Sequence, residues 1–278
     1  MESFLKDQIN FYVEFKNWYF EILKDFGFNY EKDCEARNFL SEILDLKGDN
    51  WNLERLLRII SEKFQDKEII LIYGCGPSLE ETVDMLIKEF GENFFKKCIN
   101  LAADGASILL RERGIHLEAI FSDLDGITKN EFNYAEFLII HAHGDNLEMI
   151  NSFKENIVNF PNIIGTTQVE PIDNVINPGG FTDGDRILFF IRTLLKPHNK
   201  LYLIGMDFND IIGKYSKPSL IEHYLGPPTK IKKLNYAVKL IEWLTERISN
   251  NLFFLNSKLS SKRFKYLTIE EFSALVKK

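Results

Sequence analysis

The sequence predicts an α/β protein with a Rossmann-like, mostly parallel sheet flanked by helices, and three observations support this fold class. From residue 69 onward, short apolar runs rich in β-branched residues alternate with helical segments. Most of these runs lead directly into Gly or Asp, the residue types that bind ligands where parallel strands end. With 278 residues, 45% of them hydrophobic, the chain is also long enough to bury a full core.

Composition excludes several classes of protein. A net charge of -7 argues against broad nucleic-acid binding, because phosphate contacts need a concentrated basic face. Cys34, Cys75 and Cys98 lie too far apart for a zinc site and are odd in number, so we expect reduced thiols. The start of the chain lacks a leader-like pattern, and no uncharged run approaches membrane-spanning length. We therefore expect a cytoplasmic protein that binds neither nucleic acid nor membranes.

Residues 1–65 predict an N-terminal helical region, followed by an α/β catalytic domain over residues 66–278. Apolar residues recur in the first region at helical spacing. They are Phe4, Phe11, Phe15, Trp18 and Ile22, then Leu53, Leu56, Leu57 and Ile60. Such a stripe is typical of core packing, and we expect no chemistry from it.

The predicted strand at 69–73 runs into the turn GCGPSL and then into a helix over 80–90. Glycines let backbone N–H groups approach an anion, and the helix start adds its positive end. The residues predicted to bind phosphate are Gly74, Gly76, Pro77 and Ser78. Leu79 replaces the third glycine of a dinucleotide fingerprint and no Walker lysine is present, so an ordinary turn is the alternative.

Acidic residues follow the next two predicted strands, at 98–103 and 119–122. Asp104 follows the first strand, and Asp123 and Asp125 follow the second. Neighbouring carboxylates repel each other unless a hard divalent cation lies between them, and Mg²⁺ prefers carboxylate and phosphate oxygens. The pair therefore predicts a Mg²⁺ site. The alternatives are a strand-ending turn for the pair and a helix cap for Asp104.

A fourth strand, at 137–140, leads into HAHGDN at 141–146 and a helix to about residue 154. Asp145 is a third acid at a strand end, and we predict that it contributes to the metal site, with helix capping as the alternative. His141 and His143 are weak evidence for a metal site because a third ligand of that kind is missing.

A fifth strand, at 162–167, precedes the loop GGFTDGDR at 179–186 and an apolar helix over 187–195. Arg186 lies near the helix start, where a cation opposes the dipole unless an anion is close. We predict that Arg186 and Thr182 contact phosphate. A surface arginine paired with Asp183 or Asp185 is the alternative.

A sixth strand, at 200–204, ends in GMDF, which contains Asp207. One glycine and four acids fall at the carboxyl ends of strands, where open α/β sheets bind ligands: Gly74, Asp104, Asp125, Asp145 and Asp207. Lys230, Lys232 and Lys233 open a later helix, and solvation is favoured over an anionic ligand for them. A strand at 252–255 and a capping box at 268–271 look structural.

Taken together, these motifs resemble the archaeal 6-hydroxymethyl-7,8-dihydropterin pyrophosphokinases, which are similar in turn to thiamin pyrophosphokinases. The resemblance covers roughly residues 65–255. It implies a thiamin pyrophosphokinase-like catalytic domain, dependence on Mg²⁺, and transfer of diphosphate from ATP to a pterin alcohol with release of AMP. It also implies Asp123 and Asp125 as primary metal ligands, with Asp145 at the same site.

The implied substrate suggests further site residues. The 2-amino and N3–H edge of a pterin donates two parallel hydrogen bonds, which one carboxylate can accept. Asp104, Asp183 and Asp207 are candidates of equal rank for that carboxylate, and Phe181 can stack on the ring. Any of the acids can serve as a general base.

Two other functions remain open. Asp-x-Asp after a strand is also how many nucleotide-sugar glycosyltransferases hold their metal and diphosphate, and a non-catalytic nucleotide-binding protein can keep the same fold. The residues alone do not exclude a thiamin-type acceptor. The implied product feeds tetrahydromethanopterin or a folate-type cofactor, and association into a homo-oligomer is left open.

Overall fold

The computed structural model describes residues 4–257 and 260–277. Residues 1–3, with which the predicted helical region begins, lie outside it, as do 258–259 and 278 of the predicted catalytic domain. The N-terminal helical region is confirmed. Its helices are α1 Leu5–Ile9, α2 Tyr12–Phe26, α3 Tyr30–Asp45 and α4 Leu53–Glu62.

The predicted parallel sheet is confirmed, and every predicted strand is present. The strands of the sheet are β1 Ile69–Tyr73, β2 Ile99–Ala103, β3 Leu117–Ser122, β4 Ala135–Ala142, β5 Ile163–Thr167, β6 Val175–Ile176, β7 Lys200–Ile204, β10 Leu252–Leu255 and β11 Lys265–Leu267. They run in the order β11-β10-β7-β1-β2-β3-β4-β5-β6, and each neighbouring pair is parallel. A separate antiparallel ribbon pairs β8 Ile211–Ile212 with β9 Tyr224–Leu225.

Helices lie between the strands, and a last one follows β11. They are α5 Leu79–Phe90, α6 Ala106–Glu112, α7 Leu147–Ser152, α8 Lys154–Asn159, α9 Asp183–Ile191, α10 Pro228–Thr245 and α11 Ile269–Val276. The predicted start of α9 at residue 187 is wrong: the helix begins at Asp183, because Thr182 and Asp185 form a capping box there. The predicted capping box of Thr268 and Glu271 is confirmed.

Two hydrophobic clusters fill the core. The first joins α1, α2 and α4 to α9, α10 and the strands, with Phe15, Leu57 and Phe189 fully buried. The stripe predicted to be core is therefore buried, except for exposed Phe4 and half-buried Phe11 and Trp18. The boundary at residues 65 and 66, like the predicted likeness to thiamin pyrophosphokinases, stays a prediction.

The order of the strands creates a crevice. The chain runs from β1 outward to β6 and then returns to place β7 on the other side of β1. The loops after β1 and β7 therefore leave in opposite directions, which is the topological switch point where open α/β sheets bind ligands. Within the part of the chain that is described, no helix is both long and apolar enough to cross a membrane.

Candidate functional site

Two clefts open side by side at the carboxyl edge of the sheet. The first cleft, of about 670 Å³, lies at the switch point and is lined by residues 74–76, 103–104, 182–184, 205–208 and 211–213, with Ser216, Lys230 and Leu234. The second cleft, of about 890 Å³, is lined by residues 27–29, 32–33, 143–145 and 181–183, with Asp123, His141, Gln168, Lys230 and Lys233. Both clefts share Thr182, Asp183 and Lys230, so they meet at the start of α9.

Three carboxylates cluster where the clefts meet. Asp104, Asp123 and Asp125 each offer an oxygen, and these oxygens all lie within 4.8 Å of one another. Asp104 follows β2 and lines the first cleft, while Asp123 follows β3 and lines the second. We call this cluster the acidic triad.

Unusual backbone conformations hold the triad together. Asp104 has φ 49° and Leu124 has φ 76°, both in the left-handed region. Ser122 stabilises both turns, because its hydroxyl donates to Oδ1 of Asp104 at 2.7 Å and accepts the N–H of Leu124 at 2.8 Å. A Cβ atom at Gly126 would lie 1.7 Å from Oδ2 of Asp104, so only glycine fits after the Asp-x-Asp pair.

The triad is electrostatically crowded. Burial, together with the charges of Asp123 and Asp125, raises the pKa of Asp104 to about 8. Burial also acts to raise the pKa of Asp123, but the hydrogen bond and electrostatic influence of His143 and the N–H of Asp125 outweigh it and lower that pKa to about 2. Three crowded, hard oxygen donors fit Mg²⁺ and leave room for waters or phosphate oxygens.

The HAHGDN segment positions Asp123. Nδ1 of His143 accepts the N–H of Asp145, so Nε2 carries the proton and donates to Oδ2 of Asp123 at 3.3 Å. The side-chain amide of Asn146 donates to the carbonyl oxygens of Asp123 and His141, at 2.9 and 2.7 Å. Asp145 itself is exposed at the rim of the second cleft, apart from the triad, and its metal role stays a prediction.

The glycine turn after β1 meets a carboxylate of the protein itself. Oδ2 of Asp207 accepts the N–H of Ser78 at 2.9 Å, at the start of α5. A Cβ atom at Gly76 would lie 2.3 Å from that oxygen, so glycine is needed here for close packing against the loop after β7. Gly74 and Gly76 line the first cleft, whereas the linings formed by the described residues do not include Pro77 or Ser78. Phosphate binding by this turn stays a prediction.

The start of α9 forms part of the wall of both clefts. Asp185 accepts the backbone N–H groups of Phe181 and Thr182, each at 2.7 Å, which fixes the capping box. Asp183 lines both clefts, and burial followed by the charges of Asp123 and Asp104 raises its pKa well above the ordinary range. Phe181 lines the second cleft, and Thr182 lines both clefts.

Arg186 is buried and not exposed at the surface. The alternative of a surface arginine is wrong, since its exposed fraction is 1%. Nη1 donates to the carbonyl of Gly179 at 3.2 Å, and Nε and Nη2 have no partner among the described residues. Burial lowers the pKa of Arg186 to about 10, although Asp185 and Asp183 act to raise it. The guanidinium is thus a buried counter-charge to nearby acids, and its predicted contact with phosphate remains untested.

Lysines surround the site, among them Lys230 and Lys233, for which solvation was the favoured interpretation. Lys230 lines both clefts and Lys32 and Lys233 line the second, whereas Lys232 pairs with Asp25 at 2.8 Å. The Nζ atom of Lys217 lies 2.7 Å from Oδ2 of Asp125 in the triad. Lys230 lies in the first turn of α10, where a cation opposes the helix dipole, and Lys232 and Lys233 follow in the second turn, a pattern that was visible in the sequence.

The N-terminal helical region forms one wall of the second cleft, through residues 27–29 and 32–33, which are not part of the apolar stripe that was predicted to be core. Asp33 is buried, and its Oδ1 accepts the N–H of Gly144 at 2.7 Å. Its Oδ2 accepts the hydroxyl of Tyr19 at 2.7 Å and the amide of Gln168 at 2.9 Å. Asp33 thereby joins α3 to the segment that positions Asp123.

The chain has clear relatives. A family model described as 6-hydroxymethylpterin diphosphokinase MptE-like matches residues 44–213, which include the triad and Asp207. A 6-hydroxymethyl-7,8-dihydropterin pyrophosphokinase of Pyrococcus furiosus is 38% identical over 234 residues, 83% of this chain and 93% of the relative. Proteins with the same description from Methanocaldococcus jannaschii and Methanothermobacter thermautotrophicus are 37% and 35% identical, covering 85% and 82% of this chain and 98% and 92% of the relatives.

Proposed function

Because the chain belongs to the MptE-like family of 6-hydroxymethylpterin diphosphokinases, we propose that it transfers diphosphate from ATP to the hydroxymethyl group of 6-hydroxymethyl-7,8-dihydropterin, releasing AMP. One observation carries this proposal: the acidic triad lies where two separate clefts meet. A transfer between two substrates requires that both reach one reactive centre, and two adjoining clefts would place the donor in one and the acceptor in the other.

We propose Mg²⁺ as the cofactor. Asp104, Asp123 and Asp125 would hold it, because their oxygens are close enough to share one ion. When bound, Mg²⁺ neutralises charge on the phosphates and orients them for in-line attack. Its charge would also offset the burial and the charges of Asp123 and Asp125, which together raise the pKa of Asp104.

The chain's own residues would orient and neutralise the reactants. Attack by the pterin hydroxyl on the β-phosphorus of ATP leaves AMP as the leaving group, so negative charge accumulates between the clefts. Lys230, which lines both clefts, is placed to offset that charge. Asp183 also faces both clefts, and its raised pKa suits a carboxylate that takes up the hydroxyl proton.

Other aspects of the proposal follow from the family resemblance. The product would enter the synthesis of tetrahydromethanopterin or a folate-type cofactor. Residence in the cytoplasm and assembly into a homo-oligomer stay predictions.

The test is an assay of the purified protein with ATP, Mg²⁺ and the pterin alcohol. We expect AMP release that depends on the pterin and is lost when EDTA removes the metal. Asp123→Asn and Asp125→Asn should each lower turnover by a factor of about 10³ or more, because the ion would lose a charged ligand. Asp66→Asn, at an exposed position before β1, is the matched control and should leave turnover unchanged.

Three results would contradict the proposal. Turnover with thiamin in place of the pterin would show that the acceptor is a thiamin-type alcohol. Transfer or hydrolysis of a nucleotide sugar would favour a glycosyltransferase. ATP binding that survives both Asp→Asn substitutions, with no product under any condition, would indicate a non-catalytic nucleotide-binding protein.

A further inference from the structure

We propose that the second cleft holds the pteridine ring, and that Phe28 of the N-terminal helical region is a specificity-determining residue that stacks on it. This inference rests on the proposed function and deepens it. It assigns the nucleotide to the first cleft and the pterin to the second, and it implies that the N-terminal helical region helps to select the acceptor.

The first step assigns the nucleotide to the first cleft. That cleft lies at the switch point between β1 and β7, where open α/β sheets bind nucleotides. Much of its wall is glycine or aliphatic, including Gly74, Ile212 and Leu234, as suits an adenosine group. Because the triad touches both clefts, a nucleotide in the first cleft leaves the second cleft to the acceptor.

The second step concerns the aromatic rings of the second cleft. Phe28 and Phe181 both line it, with ring centroids 6.4 Å apart and planes inclined at 51°. Phe26 packs against both rings, at 5.2 and 5.5 Å, and so holds them in place. Phe26 stacks on Phe28 with planes inclined at 16°, and Phe28 and Phe181 are half-buried, so a flat heterocycle would meet the part of each ring that stays exposed in the cleft.

The third step concerns the polar groups beside those rings. Nζ of Lys233 lies 5.4 Å from the Phe28 centroid and 5.9 Å from that of Phe181, so it faces the same space. Asp33 and Gln168 supply buried polar surface in the same cleft. A pterin carries several ring donors and acceptors, and a cleft that combines aromatic rings with cationic and anionic groups matches them.

The hydroxymethyl carbon and the amino edge of a pterin lie at opposite ends of the ring system. With the hydroxyl directed at Asp123, the rest of the ring extends along the wall that residues 27–29 and 32–33 provide. This wall lies outside residues 44–213, the part that matches the family model. The triad and the wall that would select the acceptor are therefore carried by different parts of the chain.

The test measures binding of each substrate separately in the full-length protein. Quenching of the fluorescence of 6-hydroxymethylpterin reports acceptor binding, and calorimetry with a non-hydrolysable ATP analogue and Mg²⁺ reports donor binding. The variants are Phe28→Ala, Phe28→Tyr and the matched control Phe20→Ala. Phe20 is 46% exposed, stacks on Tyr30 at 6.0 Å and is not among the residues that line the clefts.

We expect Phe28→Ala to weaken pterin binding by about 5- to 150-fold, the range that stacking of a base on an aromatic ring supports. Phe28→Tyr keeps the ring and should stay within about threefold of the wild type. Phe20→Ala should bind the pterin as the wild type does. All three variants should bind the ATP analogue normally, and their unfolding in urea shows whether each one folds.

Two outcomes overturn the inference while leaving the proposed function intact. In one, folded Phe28→Ala binds the pterin as tightly as the wild type. In the other, it loses affinity for the ATP analogue instead. Failure of the wild-type protein to bind any pterin would overturn the proposed function, and this inference with it.

Discussion

Replacing Asp104 by Asn should make the metal-free protein more stable while removing its response to Mg²⁺. Asp104 is buried beside two other acids, so its ionised form is disfavoured and its pKa rises from 3.8 to about 8. Asn has nearly the same shape and can still accept the hydroxyl of Ser122. The substitution therefore removes a repelled charge at little cost in packing.

The magnitude follows from the difference in pKa between the folded and unfolded chains. Because the folded state holds its proton more tightly, the free energy of unfolding falls as pH rises from about 4 to about 8. One pKa unit corresponds to about 1.4 kcal/mol, so ionising this carboxyl costs up to about 5 kcal/mol at pH 8 and under about 1 kcal/mol at pH 4. The Asn variant lacks this cost.

The assay is urea unfolding of the wild type, Asp104→Asn and the exposed control Asp66→Asn, at pH 5 and pH 8 in EDTA. We expect Asp104→Asn to exceed the wild type by about 2 kcal/mol or more at pH 8, with a smaller gap at pH 5. The control should follow the wild type at both pH values. Added Mg²⁺ should stabilise the wild type and the control but not Asp104→Asn.

A variant that is less stable than the wild type at pH 8 would refute this reasoning. It would show that the Asp104 carboxylate is stabilised in the metal-free protein, not repelled. Equal gaps at the two pH values would show that the substitution acts through packing and not through ionisation.

Three further predictions concern neighbouring contacts. Lys217→Met removes a cation from Asp125, so affinity for Mn²⁺ without nucleotide should rise a few-fold in calorimetry; a decrease would show that the lysine helps to hold the site. Tyr19→Phe deprives buried Asp33 of one hydrogen bond and should lower the free energy of unfolding in urea by about 1–3 kcal/mol; an unchanged value would show that this bond contributes little. Gly76→Ala places a Cβ atom 2.3 Å from a carboxylate oxygen, so it should destabilise the protein by about 1–3 kcal/mol; unchanged stability would show that the loop after β7 moves freely.

The fold was predictable because its signals are local. A buried parallel strand is a short apolar run wherever it lies, and Ile69–Tyr73 carries that pattern without help from distant residues. The two-residue strands β6, β8 and β9 are too short to show a period, which is why the sequence missed them. The start of α9 was misplaced because its first turn is polar, and its capping box lies inside a glycine-rich loop.

Less of the candidate site was visible in the sequence. Asp123 and Asp125 stand two residues apart after a strand, and Asp104 follows the neighbouring strand, so parallel topology alone brings the three acids to one edge. The partners of Asp33 were not visible, because Gly144 and Gln168 lie 111 and 135 residues away in the chain. The partners of a buried carboxylate on a helix can be identified only when the packing of that helix is known.

The position of Asp207 bears on how the proposed nucleotide would be neutralised in the first cleft. A helix start after a glycine turn attracts an anion, and in this fold the carboxylate of Asp207 already accepts the N–H of Ser78. A nucleotide in the first cleft, where we propose that it binds, would therefore meet an acid where the motif alone predicts a phosphate. Compensating positive charge would then come from other residues, and Lys230 is placed to supply it from the first turn of α10, where a lysine opposes the helix dipole. An unfavourable position for a lysine in an isolated helix becomes favourable once a polyphosphate lies in front of it.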